Sequence, residues 1–143
     1  MEDIRYVFDV EKDDFVRAGE ASSKIKKILR QLGIDFAAIR KISIATYEAE
    51  MNIVIHSMGG QITLEVTPGF IKVTATDRGP GIADVKLAMQ EGYSTATDKV
   101  REMGFGAGMG LPNMKRCSDR FCVNSSVGKG TVIDMEVDLR AGD

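Results

Sequence analysis

The chain has 143 residues, 28% of them charged, and a formal net charge of −2 at pH 7. That length suits a single domain with a buried core, and the near balance of charge argues against an electrostatic nucleic-acid binder, which would show a strongly basic face. No apolar run approaches the roughly 20 residues of a membrane span, the acidic opening MEDIRYVFDVEKDD has no apolar signal region, and two cysteines with one histidine leave a zinc site short of ligands. The expectation is one domain over 1–143, cytoplasmic, with Cys117 and Cys122 as reduced thiols.

IRYVFDV (4–10) reads as a strand with Ile4, Tyr6 and Phe8 on one face. From 15 to 32, Val16, Ala21, Ile25, Ile28, Leu29 and Leu32 recur with a rough helical period, and Gly33 stops the helix. Asp35 is a candidate N-cap for a longer helix running to about Ser57, and Met58-Gly59-Gly60 breaks it. QITLEVTPGFIKVTATD reads as a hairpin turning at Pro68-Gly69, with Ile62, Leu64 and Val66 facing Ile71, Val73 and Ala75. A short helix is predicted over 83–92, a mobile polar loop over 93–103, and another helix from about Met109 to Asp119. RFCVNSS and TVIDMEVDL form a second hairpin around VGKG. This order predicts an α+β fold: a two-layer sandwich with an antiparallel or mixed sheet and helices on one face.

Three clusters carry chemistry. On the long helix Glu48 and Asn52 are four apart and point the same way, and His56 continues the row. Ile44, Ala45, Ala49, Ile53 and Ile55 around them are core types, and polar groups set in an apolar stripe need a partner. A network capping nearby backbone would explain them equally well, and a favourable helix-dipole contact would explain His56. Glu50, roughly 200° around the helix from both, is expected to be solvated. In the second cluster, TDRGPGI, Asp77 ends a strand and Gly79 and Gly81 let a flat ligand approach; an Asp-initiated turn is the plain alternative. In the third, Gly104, Gly106, Gly108 and Gly110 alternate before a helix, so several backbone N–H groups can converge on a phosphate; a flexible hinge is the alternative. This is not the dinucleotide fingerprint, whose third glycine would fall on Met109 or Leu111, nor a Walker loop, which would need glycine at Val123.

In this order, E-x-x-x-N on a helix, D-x-G-x-G after a strand and G-x-G-x-G before a helix resemble the N, G1 and G2 boxes of the GHKL ATPase superfamily. GKGTVI (128–133) resembles its closing threonine motif. Within that superfamily, DRGPGIADVKLAMQEGYSTA and GMGLPNMKRCSDRFCVNSSVGKGT resemble the anti-sigma factor serine/threonine kinases, most closely the small switch kinases of bacterial partner-switching and stressosome signalling. At this length the chain is expected to lack the transducer domain of gyrase-like members and the phosphoacceptor hairpin of a complete histidine kinase.

The resemblance implies the Bergerat ATP-binding fold, ATP and Mg²⁺ as cofactors, and phosphorylation of a STAS-domain partner. A sigma factor or phosphatase as second partner, and a homodimer, are further implications, with no nucleic acid or membrane involved. It implies Glu48 as general base and Asn52 as Mg²⁺ ligand. Asp77 would accept from the adenine amino group with Thr131 in support, and Gly79, Gly81 and Ile82 would line the base. Gly104, Phe105, Gly106, Ala107, Gly108, Met109, Gly110 and Leu111 would surround the phosphates, and Ser94 and Thr95 would reach the γ-phosphate from a lid. Lys115 and Arg116 are expected on a solvated face. Two rival functions are an ATP-gated binding protein that captures a signalling partner and an ATP hydrolase with no protein acceptor.

Overall fold

The computed structural model describes residues 3–79, 89 and 110–139. The predicted helix over 83–92 and loop over 93–103 therefore lie outside the described residues, apart from Met89, which packs against the core.

The described elements are β1 (Ile4–Val10), α1 (Glu20–Gln31), α2 (Phe36–His56), β2 (Gly60–Val66), β3 (Phe70–Asp77), α3 (Gly110–Arg116), β4 (Arg120–Ser126) and β5 (Gly130–Asp138). The five strands form one sheet in the order β1-β2-β3-β5-β4, and every neighbouring pair is antiparallel. Of the two predicted arrangements, antiparallel or mixed, the antiparallel one is therefore found. The α+β fold holds.

Alternation decides which face of the sheet is buried. Ile62, Leu64 and Val66 of β2 stand opposite Ala75, Val73 and Ile71 of β3, which stand opposite Ile133, Met135 and Val137 of β5. All are buried, and they form one core with Ile25 and Leu29 of α1, Ile42, Ile53 and Val54 of α2, and Met114 of α3. The other face carries Lys72, Thr74, Asp134 and Glu136, with a Thr74–Asp134 hydrogen bond of 2.9 Å and an Arg120–Glu136 ion pair. Thus one face seats the helices and the other is polar.

Three boundaries differ from expectation. Residues 15–19 are not helical: Gly19 takes a left-handed φ of 94° and α1 begins only at Glu20. Val16 is consequently 96% exposed, not part of a helical core stripe. Helix α3 ends at Arg116, short of Asp119, because the Cys117 and Ser118 N–H groups close its last turn onto Asn113 and Lys115. Strand β2 starts at Gly60, the predicted breaker, which pairs with Asp77. The long helix behaves as expected: Asp35 accepts from the Ala38 N–H at its start and Ser57 caps its end.

Glu50 is the largest correction. Expected in solvent, it is 2% exposed. Its carboxylate accepts backbone N–H bonds from Gly19 (3.0 Å), Ala21 (3.1 Å) and Ser22 (3.0 Å). The first turn of a helix has N–H groups with no partner inside the helix, and Gly19 has no side chain to supply one. A carboxylate from α2 therefore caps α1 and also meets the positive end of its dipole.

Candidate functional site

With Glu50 tied to α1, the opposite side of α2 turns towards α3. Glu48 and Asn52 lie on that side, both half-buried. Burial pushes the Glu48 carboxyl above the ordinary glutamate range, and a hydrogen bond from Asn113 opposes the rise. The Asn113 Nδ2 donates to Glu48 Oε1 at 3.5 Å, and Arg116 Nη2 donates to Asn113 Oδ1 at 2.6 Å. Gly110, opening α3, is so close that a Cβ there would stand 3.6 Å from Glu48 Oε2. The last glycine of the alternating run and the carboxylate of the long helix, far apart in sequence, are thus neighbours. Among the described residues nothing bonds to the Asn52 amide. His56 lies in the last turn of α2, where burial holds its pKa below the usual histidine value.

Asp77 ends β3 at the C-terminal side of α2. Its Oδ1 accepts the Thr131 N–H at 3.1 Å. Burial raises its pKa, and the Thr131 N–H partly offsets that rise. Thr131 itself is 3% exposed, with Oγ1 2.8 Å from the Ser125 hydroxyl. The contact between Thr131 and Asp77 is therefore made by the Thr131 backbone, while its hydroxyl faces Ser125. The turn after Asp77 is fastened to the end of α2: Met58 N–H donates to the carbonyls of Arg78 (3.0 Å) and Gly79 (3.2 Å), and Arg78 N–H donates to Gly59 (3.0 Å).

Gly130 makes the Asp77–Thr131 contact possible. Its φ is 124°, and a Cβ there would fall 2.2 Å from the Asp77 carbonyl oxygen. A Gly130→Ala variant must move β5 away from β3 or strain both. It is expected to lose about 2–4 kcal/mol of stability, which a urea titration would read.

Glu48, Asn52, Asp77, Gly79, Gly110, Leu111 and Thr131 are described. Of these, Glu48 lies beside Gly110, and Asp77 beside Thr131 and Gly79. Leu111 is buried in the core. Gly81, Ile82, Ser94, Thr95, Gly104, Phe105, Gly106, Ala107, Gly108 and Met109 lie outside the described residues.

Residues 13–137 match the family described as the histidine kinase-like ATPase domain. This chain belongs to that family. Among the relatives of the ATPase domain is the serine/threonine-protein kinase RsbT of Bacillus subtilis (strain 168), 34% identical over 112 residues, covering 76% of this chain and 78% of RsbT. Another is the anti-sigma F factor of Pasteuria penetrans, 31% identical over 138 residues, covering 92% of this chain and 85% of that protein. A crystal structure of the RsbU and RsbW domains of Rv1364c from Mycobacterium tuberculosis shares the fold, with a TM-score of 0.63 at 16% identity. That match spans 97% of this chain and 33% of the solved chain. Among the described residues no helix is long and apolar enough to cross a membrane.

The sequence reading missed Asn113 and Ser125. A polar residue one turn into a helix that follows the glycine run was a usable signal for Asn113; for Ser125 the only signal was its place opposite Thr131 in the second hairpin.

Proposed function

We propose that this ATPase domain is a protein serine/threonine kinase that transfers the γ-phosphoryl group of ATP to a STAS-domain partner. The observation that carries the reading is the meeting of a half-buried Glu48 with Gly110, together with a β3-end Asp77 that spends one oxygen on Thr131 and keeps the other for a ligand. The family membership and the kinase RsbT among the relatives support it.

In this reading the free Asp77 oxygen accepts from the adenine amino group, a donor that guanine does not present at that position. Gly79, Gly81 and Ile82 leave room for the base. The backbone of 104–110 binds phosphate oxygens, with Leu111 anchoring the following helix in the core, and Ser94 and Thr95 reach the γ-phosphate. Asn52 fits a magnesium ion bound mainly by phosphate and water: it offers one oxygen, and among the described residues no cluster of three or more acidic, histidine or cysteine groups competes for a metal. Bound there, Mg²⁺ would neutralise phosphate charge. Glu48 takes the proton of the attacking hydroxyl, and its raised pKa makes it a better proton acceptor than an exposed carboxylate.

Glu48→Ala is expected to keep ATP affinity within a few-fold and to lower turnover by about 10²–10⁴-fold. Nucleotide titration and ADP release measured on one preparation give both numbers, and lost affinity with normal turnover would reverse the assignment. Incubation with γ-labelled ATP and a STAS-domain protein tests the function itself: label must move onto a serine or threonine of that protein. A second reading, capture of a sigma factor gated by ATP, is favoured by the anti-sigma F factor match over 92% of the chain; it predicts ATP-dependent complex formation without labelling. Homodimerisation and a phosphatase partner belong to the same proposal.

A further inference from the structure

We propose that Asn113, held by Arg116, is the positioning residue that aims the Glu48 carboxylate. The proposal deepens the kinase reading and rests on it in treating Glu48 as the base. An asparagine amide can face a neighbour with its oxygen or its nitrogen. Here Arg116, a donor that cannot accept, stands 2.6 Å from one end of the amide. That end must be the oxygen, so the NH₂ end is turned to Glu48 Oε1, 3.5 Å away. Arg116 thus settles the orientation of Asn113, and Asn113 favours the ionised carboxylate. The 3.5 Å contact is long, as catalytic contacts often are before a substrate is bound. Glu48 Oε2 is left on the side of Gly110, where a Cβ would come within 3.6 Å. One carboxylate oxygen is anchored and the other faces the end of the glycine run.

The geometry also explains why Asn113 sits where it does. Gly110, Asn113 and Cys117 succeed one another on the side of α3 that meets α2, and the Cys117 N–H closes the turn on the Asn113 carbonyl. Among the described residues, the other titratable group on this side is the Cys117 thiol, which feels the charge of Arg116, Lys41, Glu48 and Arg40. On α2 itself, the neutral Asn52 is the next polar group on the row. The Asn113 amide is therefore the hydrogen-bond donor to Glu48 among the described residues, and Arg116 acts on the carboxylate through it.

The test is the ionisation of Glu48, followed by ¹³C carboxyl resonance titration in wild type, Asn113→Leu and Arg116→Gln. Removing the donor withdraws support from the charged form, so Glu48 must titrate at higher pH in Asn113→Leu and, by less, in Arg116→Gln. Mg·ATP turnover should then fall about threefold to tenfold on the acidic side of the pH profile and stay within about twofold of wild type on the alkaline side. A merely structural role would lower both sides equally. Arg116 is exposed, so Arg116→Gln keeps the test open should Asn113→Leu fail to fold. Titration of Glu48 at the wild-type pH in the folded variants overturns the proposal. A wild-type protein that neither binds nor turns over Mg·ATP overturns the kinase reading instead, and does not alter what the carboxyl titration says about Asn113.

Discussion

Asp77→Asn is expected to abolish useful ATP affinity while making the empty protein more stable. One Asp77 oxygen already accepts the Thr131 N–H, and the proposed function assigns the other to the adenine amino group. An amide has one acceptor end. If that end keeps Thr131, an NH₂ group meets the adenine NH₂; if it turns to adenine, NH₂ meets the Thr131 N–H. Loss of a hydrogen bond to a charged acceptor, with two donors left facing, costs about 2–4 kcal/mol, or roughly 30- to 1000-fold in affinity. Titration with a fluorescent ATP analogue measures this directly, and an unchanged affinity would remove Asp77 from the base pocket.

Burial raises the Asp77 pKa, and the Thr131 N–H partly restores it. A carboxyl with a raised folded pKa contributes stability below its unfolded pKa, about 3.9. That contribution is lost as pH climbs through the folded value. At neutral pH the charged group therefore weighs against folding, and asparagine removes the burden. Thermal melts without nucleotide should show Asp77→Asn above wild type at pH 7, with the gap closing as pH falls through the raised folded pKa towards about 4. Glu48, also raised by burial, has the same sign. Both carboxylates are thus expected to weigh against the empty fold at neutral pH, as groups at functional sites often do.

Glu50→Ala is expected to damage the fold about as much as Gly130→Ala. The variant leaves three N–H groups at the start of α1 without their acceptor, two of them in bonds that are buried. Loss of a helix cap together with unsatisfied buried donors costs about 2–4 kcal/mol, or roughly 5–15 °C in melting temperature for a domain of this size. Glu50→Gln keeps an acceptor oxygen and should lose less than half as much. Differential scanning calorimetry of the two variants decides it. A change within about 0.5 kcal/mol, typical of solvated surface residues, would mean the carboxylate does not cap α1. Because Glu50 faces α1 while Glu48 and Asn52 face α3, the alanine variant should also loosen the rotation of α2 that presents the site.

The contrast between Glu48 and Glu50 shows where the sequence was legible. Both lie in YEAEMN, and helical spacing correctly put them on different sides of α2. Spacing could not say which side met what. The reading gave the solvent to Glu50, because a carboxylate with no helical partner usually faces water. It lacked the knowledge that α1 begins at Glu20, after a Gly19 with no side chain to cap it, directly against that position. Ile44 shows the reverse error: apolar and in period with the core, it is 39% exposed.

What the amino-acid order determined by itself is local. Alternation in β2 and β3 marked the buried face, Asp35 and Ser57 marked the ends of α2, and the order of the three clusters resembled that of this ATPase superfamily. What only the tertiary structure decided is which distant groups meet: Glu50 with Ala21, 29 residues apart; Thr131 with Asp77, 54 apart; Asn113 with Glu48, 65 apart. The physical reason is that helical and strand periods follow from neighbouring backbone geometry, whereas these meetings follow from how the elements settle on one shared apolar face. That choice depends on burial summed over the whole core, and no local stretch of sequence contains it.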